Sequence, residues 1–112
     1  MDQIDKYLYQ LKAGEPVKVE LVPYSAAQHL VVAALDGRTV LPSASGDLSF
    51  QFTFSGEETV LRIEAEFVDP QPNSRYDIFI TASSEEKKQG PTLDPQKNAV
   101  EIKFRTRTGP PH

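Results

Sequence analysis

Most of the chain alternates between apolar and polar residues with a period of two. Val17, Val19 and Leu21, for example, are separated by Lys18 and Glu20. The same alternation recurs in four later segments, at 48–54, 61–67, 76–82 and 100–104. Because successive side chains of a β-strand point to opposite faces of a sheet, this pattern predicts antiparallel strands that have one buried and one solvated face.

Two features extend this set of strands. Asp36 and Gly37 lie between an apolar run and a shorter segment at 38–40, and this dipeptide is typical of a two-residue hairpin turn. The apolar run itself, at 28–35, has apolar residues on both faces. We therefore expect it to form a strand that is central in its sheet or is covered by the N-terminal segment.

The N-terminal segment shows helical spacing instead. Its apolar residues fall at i, i+3, i+4 and i+7, and they are Ile4, Tyr7, Leu8 and Leu11. Asp2 can cap the start of a helix at 2–12, and Gly14 with Pro16 can end it. A helix of this length is unstable alone in water, so we expect it to dock, most simply on the sheets.

Together these segments predict one all-β domain that spans 1–112. Six or seven short strands at roughly ten-residue spacing are typical of an antiparallel, immunoglobulin-like β-sandwich, here with one short N-terminal α-helix. The stretch 83–96 is charged and contains Gly90 and Pro91, so we expect a mobile surface loop there. Residues 108–112 should form a frayed tail.

Composition narrows the classes of function. The chain has 112 residues, of which 38% are apolar and 25% are charged, as in globular domains. The formal net charge of −4 opposes binding to a phosphate backbone, so we expect no nucleic-acid partner. The longest apolar run, at 30–35, is far too short to cross a bilayer, so we also expect no membrane partner.

Cysteine usage and the first residues bear on the compartment. The chain has no cysteine, which excludes disulfides and thiolate metal sites. Asp2, Asp5 and Lys6 interrupt the N-terminal segment, so it does not resemble a secretory signal. These observations favour the cytoplasm, and secretion stays open if a leader has been removed.

Catalytic chemistry finds little support in the sequence. A triad of Ser25, His29 and Asp36 would lack the G-x-S-x-G turn and the oxyanion loop that such triads use. Glu64 and Glu66 share the wet face of one strand, but glycoside hydrolysis would need a second wall around them. We therefore expect a protein that is not an enzyme and that needs no cofactor.

A calcium site is a weak alternative. Asp69, Asn73 and Asp77 flank one loop, and oxygen ligands of this kind suit Ca²⁺. No D-x-D-x-D-G loop is present, so the spacing of these residues specifies little.

The leading hypothesis is a non-catalytic β-sandwich module that mediates protein–protein interaction. Loops on a rigid sandwich are common binding surfaces, and the first candidate is the 83–96 loop. Its charged residues are Glu85, Glu86, Lys87 and Lys88. The second candidate is the strand at 100–107, where Lys103, Arg105 and Arg107 share one face. Charges that protect an edge strand from aggregation are the simpler explanation of that face, although an open edge can also accept a strand from a partner.

The alternative hypothesis is a module that binds carbohydrate or another small ligand, with or without calcium. Tyr24 lies at a strand end, and Phe79 points outward if Ile78 and Ile80 point inward. Flat aromatic side chains can stack on sugar rings, whereas cover by the N-terminal helix is the competing explanation for Phe79. A homodimer that exchanges or docks the 2–12 helix is a further alternative.

Overall fold

The computed structural model describes residues 5–24, 29–41, 48–67, 72–82 and 88–106. These residues form nine strands: β1 (Asp5–Leu11), β2 (Pro16–Tyr24), β3 (His29–Leu35), β4 (Arg38–Leu41), β5 (Ser49–Thr53), β6 (Thr59–Phe67), β7 (Arg75–Ala82), β8 (Lys88–Leu93) and β9 (Ala99–Thr106). The described ranges contain no helix, and so none that is long and apolar enough to cross a bilayer.

The strands form two sheets. The five-stranded sheet has the order β1-β9-β6-β3-β4, and the four-stranded sheet has the order β5-β2-β7-β8. Each pairing is antiparallel except that of β1 with β9, which is parallel. The hairpins β3–β4 and β7–β8 stay within one sheet, whereas every other connection between successive strands changes sheet.

The apolar faces of the two sheets form one core in a sandwich-like arrangement. Phe52 on β5 and Phe104 on β9 belong to different sheets, and their ring centroids are 5.2 Å apart. The rings of Phe67 on β6 and Tyr76 on β7 also meet across the sheets, at 5.8 Å. Burial of each large apolar side chain contributes about 1.5–3 kcal/mol, so the packed faces are the main source of stability.

The period-two alternation is confirmed in all five segments that predicted it. Its apolar positions are buried or packed against the core, as for Val17, Val19 and Leu21 on β2. The hairpin prediction is also confirmed, because Asp36 and Gly37 connect β3 to β4 with φ values of 50° and 81°. Positive φ at both central residues is the conformation that such a turn requires.

The predicted N-terminal helix is wrong, because residues 5–11 form strand β1. Tyr7 and Leu11 satisfy a helical spacing, but with Tyr9 they also satisfy a period of two. In the structure Tyr9 packs against the core and Leu11 is buried. The ladder with β9 supplies the backbone hydrogen bonds that a marginal helix would otherwise make for itself.

The strand count and the connectivity also differ from the prediction. The described residues form nine strands instead of six or seven. An immunoglobulin-like topology is not confirmed, because the last two strands of that fold pair in one sheet, whereas β8 and β9 lie in different sheets. The structure is an all-β domain of two sheets.

The prediction of a mobile loop at 83–96 is wrong for residues 88–93. Residues 88–93 form β8, an edge strand paired with β7, and Asp94 and Lys97 then close a turn through mutual backbone hydrogen bonds. Gly90 and Pro91 suggested a loop, but an edge strand tolerates both, and the register of β7 with β8 shifts beside them. Residues 83–87 and the expected tail at 108–112 lie outside the described residues.

The described part of the apolar run, residues 29–35, lies inside its sheet but is buried on one face only. Strand β3 lies second from the edge, between β4 and β6. Val31 and Ala33 are buried on its inner face, but Leu30 is 64% exposed and Val32 is 49% exposed on its outer face. The expectation of cover fails because β1, the element that would have covered this strand, joins the opposite edge of the same sheet.

Glycine substitutions test the turn that precedes β6. Gly56 has a φ of 101°, and a Cβ added there would lie 3.0 Å from the Cβ of Ala13, whereas Gly14, with a φ of 89°, has open space. Both replacements by alanine incur the cost of a left-handed backbone, about 1–2 kcal/mol. We expect Gly56→Ala to lose a further ~1 kcal/mol or more through overpacking, as measured by denaturant unfolding. Equal losses would mean that Ala13 moves aside without cost.

Candidate functional site

The structure brings two of the predicted binding residues together through a third side chain. Tyr24 at the end of β2 is the register partner of Arg75 at the start of β7. The guanidinium carbon of Arg75 lies 4.2 Å from the centroid of the Tyr24 ring. Arg75 Nε also donates a hydrogen bond of 3.2 Å to Asp77 Oδ1. Because residues two apart on a strand share a face, all three side chains lie on the outer face of the four-stranded sheet.

The Tyr24–Arg75–Asp77 cluster combines a buried anion with an accessible cation. The side chain of Asp77 is only 5% exposed, whereas that of Arg75 is 47% exposed. A guanidinium that is stacked on a ring and held by a carboxylate is oriented before any ligand arrives. The cluster can therefore present an aromatic ring and a fixed hydrogen-bond donor to a polar ligand.

Phe79 lies on the same outer face, beyond Asp77 and farther from Tyr24 and Arg75. It pairs with Glu20 on β2 and with Gln89 on β8. It lies four positions along β7 from Arg75, about 13 Å at the usual rise of a strand, and two positions from Asp77, about 7 Å. Its ring is partly buried, and β1 does not cover it, because β1 belongs to the other sheet.

The basic residues of β9 do not lie on an edge strand. The prediction of a charged edge strand is wrong, because β9 lies between β1 and β6. Lys103 Nζ and Arg105 Nε lie 3.6 and 3.5 Å from the carboxylate of Glu58, which neutralises part of their charge. Exposed pairs of this kind contribute under about 1 kcal/mol each.

Several other predicted site residues lie outside what the structure describes. Glu85, Glu86, Lys87 and Arg107 are not among the described residues, and the side chain of Lys88 is not described. The same holds for Asp69 of the proposed calcium site. Of its partners, Asn73 is exposed and Asp77 is engaged by Arg75. Among the described residues, no three metal-binding side chains converge, and the calcium site stays a prediction.

Of the residues weighed for a catalytic triad, Ser25 lies outside the described residues, and His29 and Asp36 are held apart. His29 begins β3 and Asp36 follows its other end, so their backbones are separated by about 20 Å at the usual strand rise. Glu64 is bound at 2.6 Å by Arg62 on the same strand. This is the charge pairing expected of a solvated strand face.

The edge of β1 is a candidate surface that the sequence interpretation missed. Its register with β9 runs without a shift from Asp5 to Leu11, and the segment contains no proline or glycine. Tyr7 is 38% exposed and Leu8 is 49% exposed. The period-two spacing of Tyr7, Tyr9 and Leu11 was the signal that could have identified this strand.

The other described edges are less suited to accept a strand. Strand β4 has four residues and a register shift in its pairing with β3. Strand β8 contains Gly90 and Pro91 beside a register shift, and β5 has five residues. Short, bulged or proline-containing edges are the usual protection against unwanted pairing. Among the described edges, β1 is the longest that lacks these features.

The inner face of β1 is anchored to both sheets. The Tyr9 ring stacks on Phe104 with centroids 5.9 Å apart. A Cβ added to Gly90 on β8 would lie 3.1 Å from the Tyr9 hydroxyl. This hydroxyl therefore packs against the other sheet. Burial, and secondarily the neighbouring Tyr7, raises the pKa of Tyr9 above its ordinary value. The edge of β1 therefore belongs to a strand that is held in place by the packing of its inner face.

Comparison with protein-family models, with curated proteins and with solved structures finds no match to this chain. The function is therefore argued from the geometry of the two surfaces, the β1 edge and the Tyr24–Arg75–Asp77 cluster.

Two arginine substitutions test whether burial of an ion pair, or the distance between its charged atoms, determines its contribution to the free energy of unfolding. Arg75→Ala would leave the carboxylate of Asp77 buried without its cation, and we expect a loss of about 1–3 kcal/mol in the free energy of unfolding. Arg62→Ala is the matched control, because the Arg62–Glu64 pair is shorter but about half exposed on both sides. Its loss should be under ~0.5 kcal/mol. Denaturant unfolding measures both, and a larger loss for Arg62→Ala would contradict the assignment.

Proposed function

We propose that this chain is a non-catalytic β-sandwich module that binds protein by adding an extended segment of its partner to the edge of β1. The observation that carries the proposal is the unbroken seven-residue edge with its exposed Tyr7 and Leu8. Alternate residues of an edge strand direct their backbone N–H and C=O groups away from the sheet. A partner strand satisfies these groups, which provides affinity.

The side chains of β1 provide a means of selection. Lys6, Leu8 and Gln10 lie on the outer face of the sheet, whereas Tyr7 and Tyr9 lie on the inner side. The residues of an added strand that lie beside Tyr7 and Leu8 are consecutive, so they fall on opposite faces of the sheet. A partner with apolar residues at both positions is therefore favoured over one with charged residues there.

This surface replaces the two that the sequence suggested. In the strand at 100–107, residues 100–104 pair with β1 on one side and with β6 on the other, so their backbone is already paired. Residues 88–93 of the former loop form a bulged edge with a proline. Residues 83–87 stay a candidate for contacts that supplement the β1 edge.

Capture of partners with the full chain as bait tests this proposal. Leu8→Asp places a charge beside the added strand, and we expect at least a tenfold loss of partner affinity. Leu30→Asp is the matched control, because Leu30 is more exposed but lies on β3, and it should bind normally. Amide hydrogen exchange should also slow within residues 5–11 when the partner binds.

The opposite pattern would overturn the assignment of the surface. Partners that are retained by Leu8→Asp and lost by Leu30→Asp would place the binding surface on the outer face of β3. Circular dichroism of both variants verifies that each is folded.

The Tyr24–Arg75–Asp77 cluster favours a second function, the binding of a carbohydrate or another small polar ligand. The exposed face of Tyr24 suits the apolar side of a sugar ring, and Arg75 can donate hydrogen bonds to its hydroxyl or carboxylate groups. Calcium would take part only through residues beyond this cluster, since Asp77 already binds Arg75.

Titration with a panel of neutral and acidic oligosaccharides tests this second function. Tyr24→Ala should abolish any binding observed, whereas Phe79→Ala should leave it intact, because Phe79 lies about 13 Å from the Tyr24–Arg75 pair along the sheet. Binding that survives Tyr24→Ala would exclude the cluster, and a chelator added to the wild-type titration separates a calcium-assisted mode.

A further inference from the structure

We propose that the partner strand is β1 of a second copy of this chain, an inference that rests on the proposed function of the β1 edge. The two copies would pair their β1 strands antiparallel about a two-fold axis through Leu8. Two five-stranded sheets would then join into one continuous sheet of ten strands. A two-fold interface requires that the same segment be complementary to itself, and the residues of β1 meet this requirement.

The register centred on Leu8 places compatible residues opposite one another. Leu8 faces Leu8 of the second copy, Tyr7 faces Tyr9, and Lys6 faces Gln10. Directly opposite residues share a face of the sheet. The half-exposed Leu8 side chains would therefore cover each other, and Tyr7 would pack against an aromatic ring. Within residues 6–10, no like charges stand opposite one another.

Neighbouring registers are less favourable. A shift of one residue at the axis, to Tyr9, would place Lys6 opposite Lys12 of the other copy, and like charges directly opposite destabilise a sheet. A shift in the other direction, to Tyr7, would set Leu8 against Lys6 and so remove the contact between the two Leu8 side chains. Registers that pair odd with even positions would turn the packed face of one copy to the solvated side of the other.

Charges on the adjacent strand do not prevent this pairing. On the outer face, Lys103 of β9 is the neighbour of Leu8, so the two Lys103 residues of a dimer are separated by three strand spacings. This distance is about 14 Å, which exceeds the Debye length of roughly 10 Å at 0.1 M salt. Glu58 also lies 3.6 Å from Lys103 and offsets its charge.

The area buried between the two β1 edges determines the expected affinity of the dimer. Two strand edges bury less surface than the roughly 1,600 Å² of a standard stable interface. We therefore expect a weak dimer whose population rises with protein concentration. Sedimentation equilibrium of the full chain should show a mass that increases from 12.5 kDa toward twice that value.

Opposite substitutions at Gln10 test the register. Gln10→Glu faces Lys6 of the other copy twice in each dimer, and we expect it to tighten the dimer several-fold. Gln10→Lys faces the same lysine and should weaken the dimer at least tenfold. Gln10 is exposed, so both variants should fold. Equal effects of the two charges would overturn the register.

A single cysteine tests the axis itself. The chain has no cysteine, so Leu8→Cys introduces one thiol, and only a residue on the axis faces its own copy. Opposite residues of antiparallel strands have Cα atoms about 4.5–5.5 Å apart, within the range that a disulfide spans. Mild oxidation should give a covalent dimer for Leu8→Cys and not for the matched control Leu30→Cys.

The outcomes separate this inference from the function on which it rests. A mass of 12.5 kDa at every concentration, with no selective cross-linking, overturns self-pairing. If Leu8→Asp still loses other captured proteins, the β1 edge binds a different chain and the proposed function stands. If Leu8→Asp loses nothing, both the edge function and the dimer are wrong.

Discussion

The ring of Phe104 is the contact on which the arrangement of both sheets depends. It is fully buried on β9, makes a T-shaped contact with the Phe52 ring of the opposite sheet, and stacks on Tyr9 of β1. One side chain thus joins the two layers and fixes the outermost strand of the larger sheet. Without it, β1 would keep its backbone ladder but lose its position over the core. Aromatic contacts of this kind add specific geometry to the burial of apolar surface.

The placement of β1 explains why the two candidate surfaces differ in character. The Tyr24–Arg75–Asp77 cluster lies in the middle of a sheet face, where backbone groups are paired and side chains alone can recognise a ligand. The edge of β1 offers the backbone itself, with side chains that only select among partners. The first surface suits a small polar ligand, and the second suits an extended chain. The β1 edge is favoured because the chain otherwise protects its described edges by shortness, bulges or proline.

The strands could be predicted from the sequence where local pattern decides the outcome. The alternation around Val17, Val19 and Leu21 shows which face of the strand is buried. The dipeptide Asp36-Gly37 is typical of one kind of turn. The segment 5–11 fits both a helical and a strand period, and the choice is made by β9, about ninety residues further along the chain. Tertiary contacts that override local propensity are not visible in a short window.

Part of the candidate site could be predicted in the same sense. The outward direction of Phe79 followed from the burial of Ile78 and Ile80, and Tyr24 was recognised as a strand-end aromatic. Arg75 was missed, because its role depends on the pairing of β2 with β7, which no residue spacing encodes. The edge character of β1 and the interior position of β9 depend on strand order in the same way.

The parallel pairing of β1 with β9 has a consequence for biosynthesis. A ribosome releases β1 early, but the strand that β1 pairs with is the last of the described strands to leave the exit tunnel. Until then residues 5–11 have no sheet to extend, so a nascent or truncated chain does not display the edge. Recruitment through this edge would then require that β9 has left the exit tunnel, and incomplete chains would be left out of the assembly.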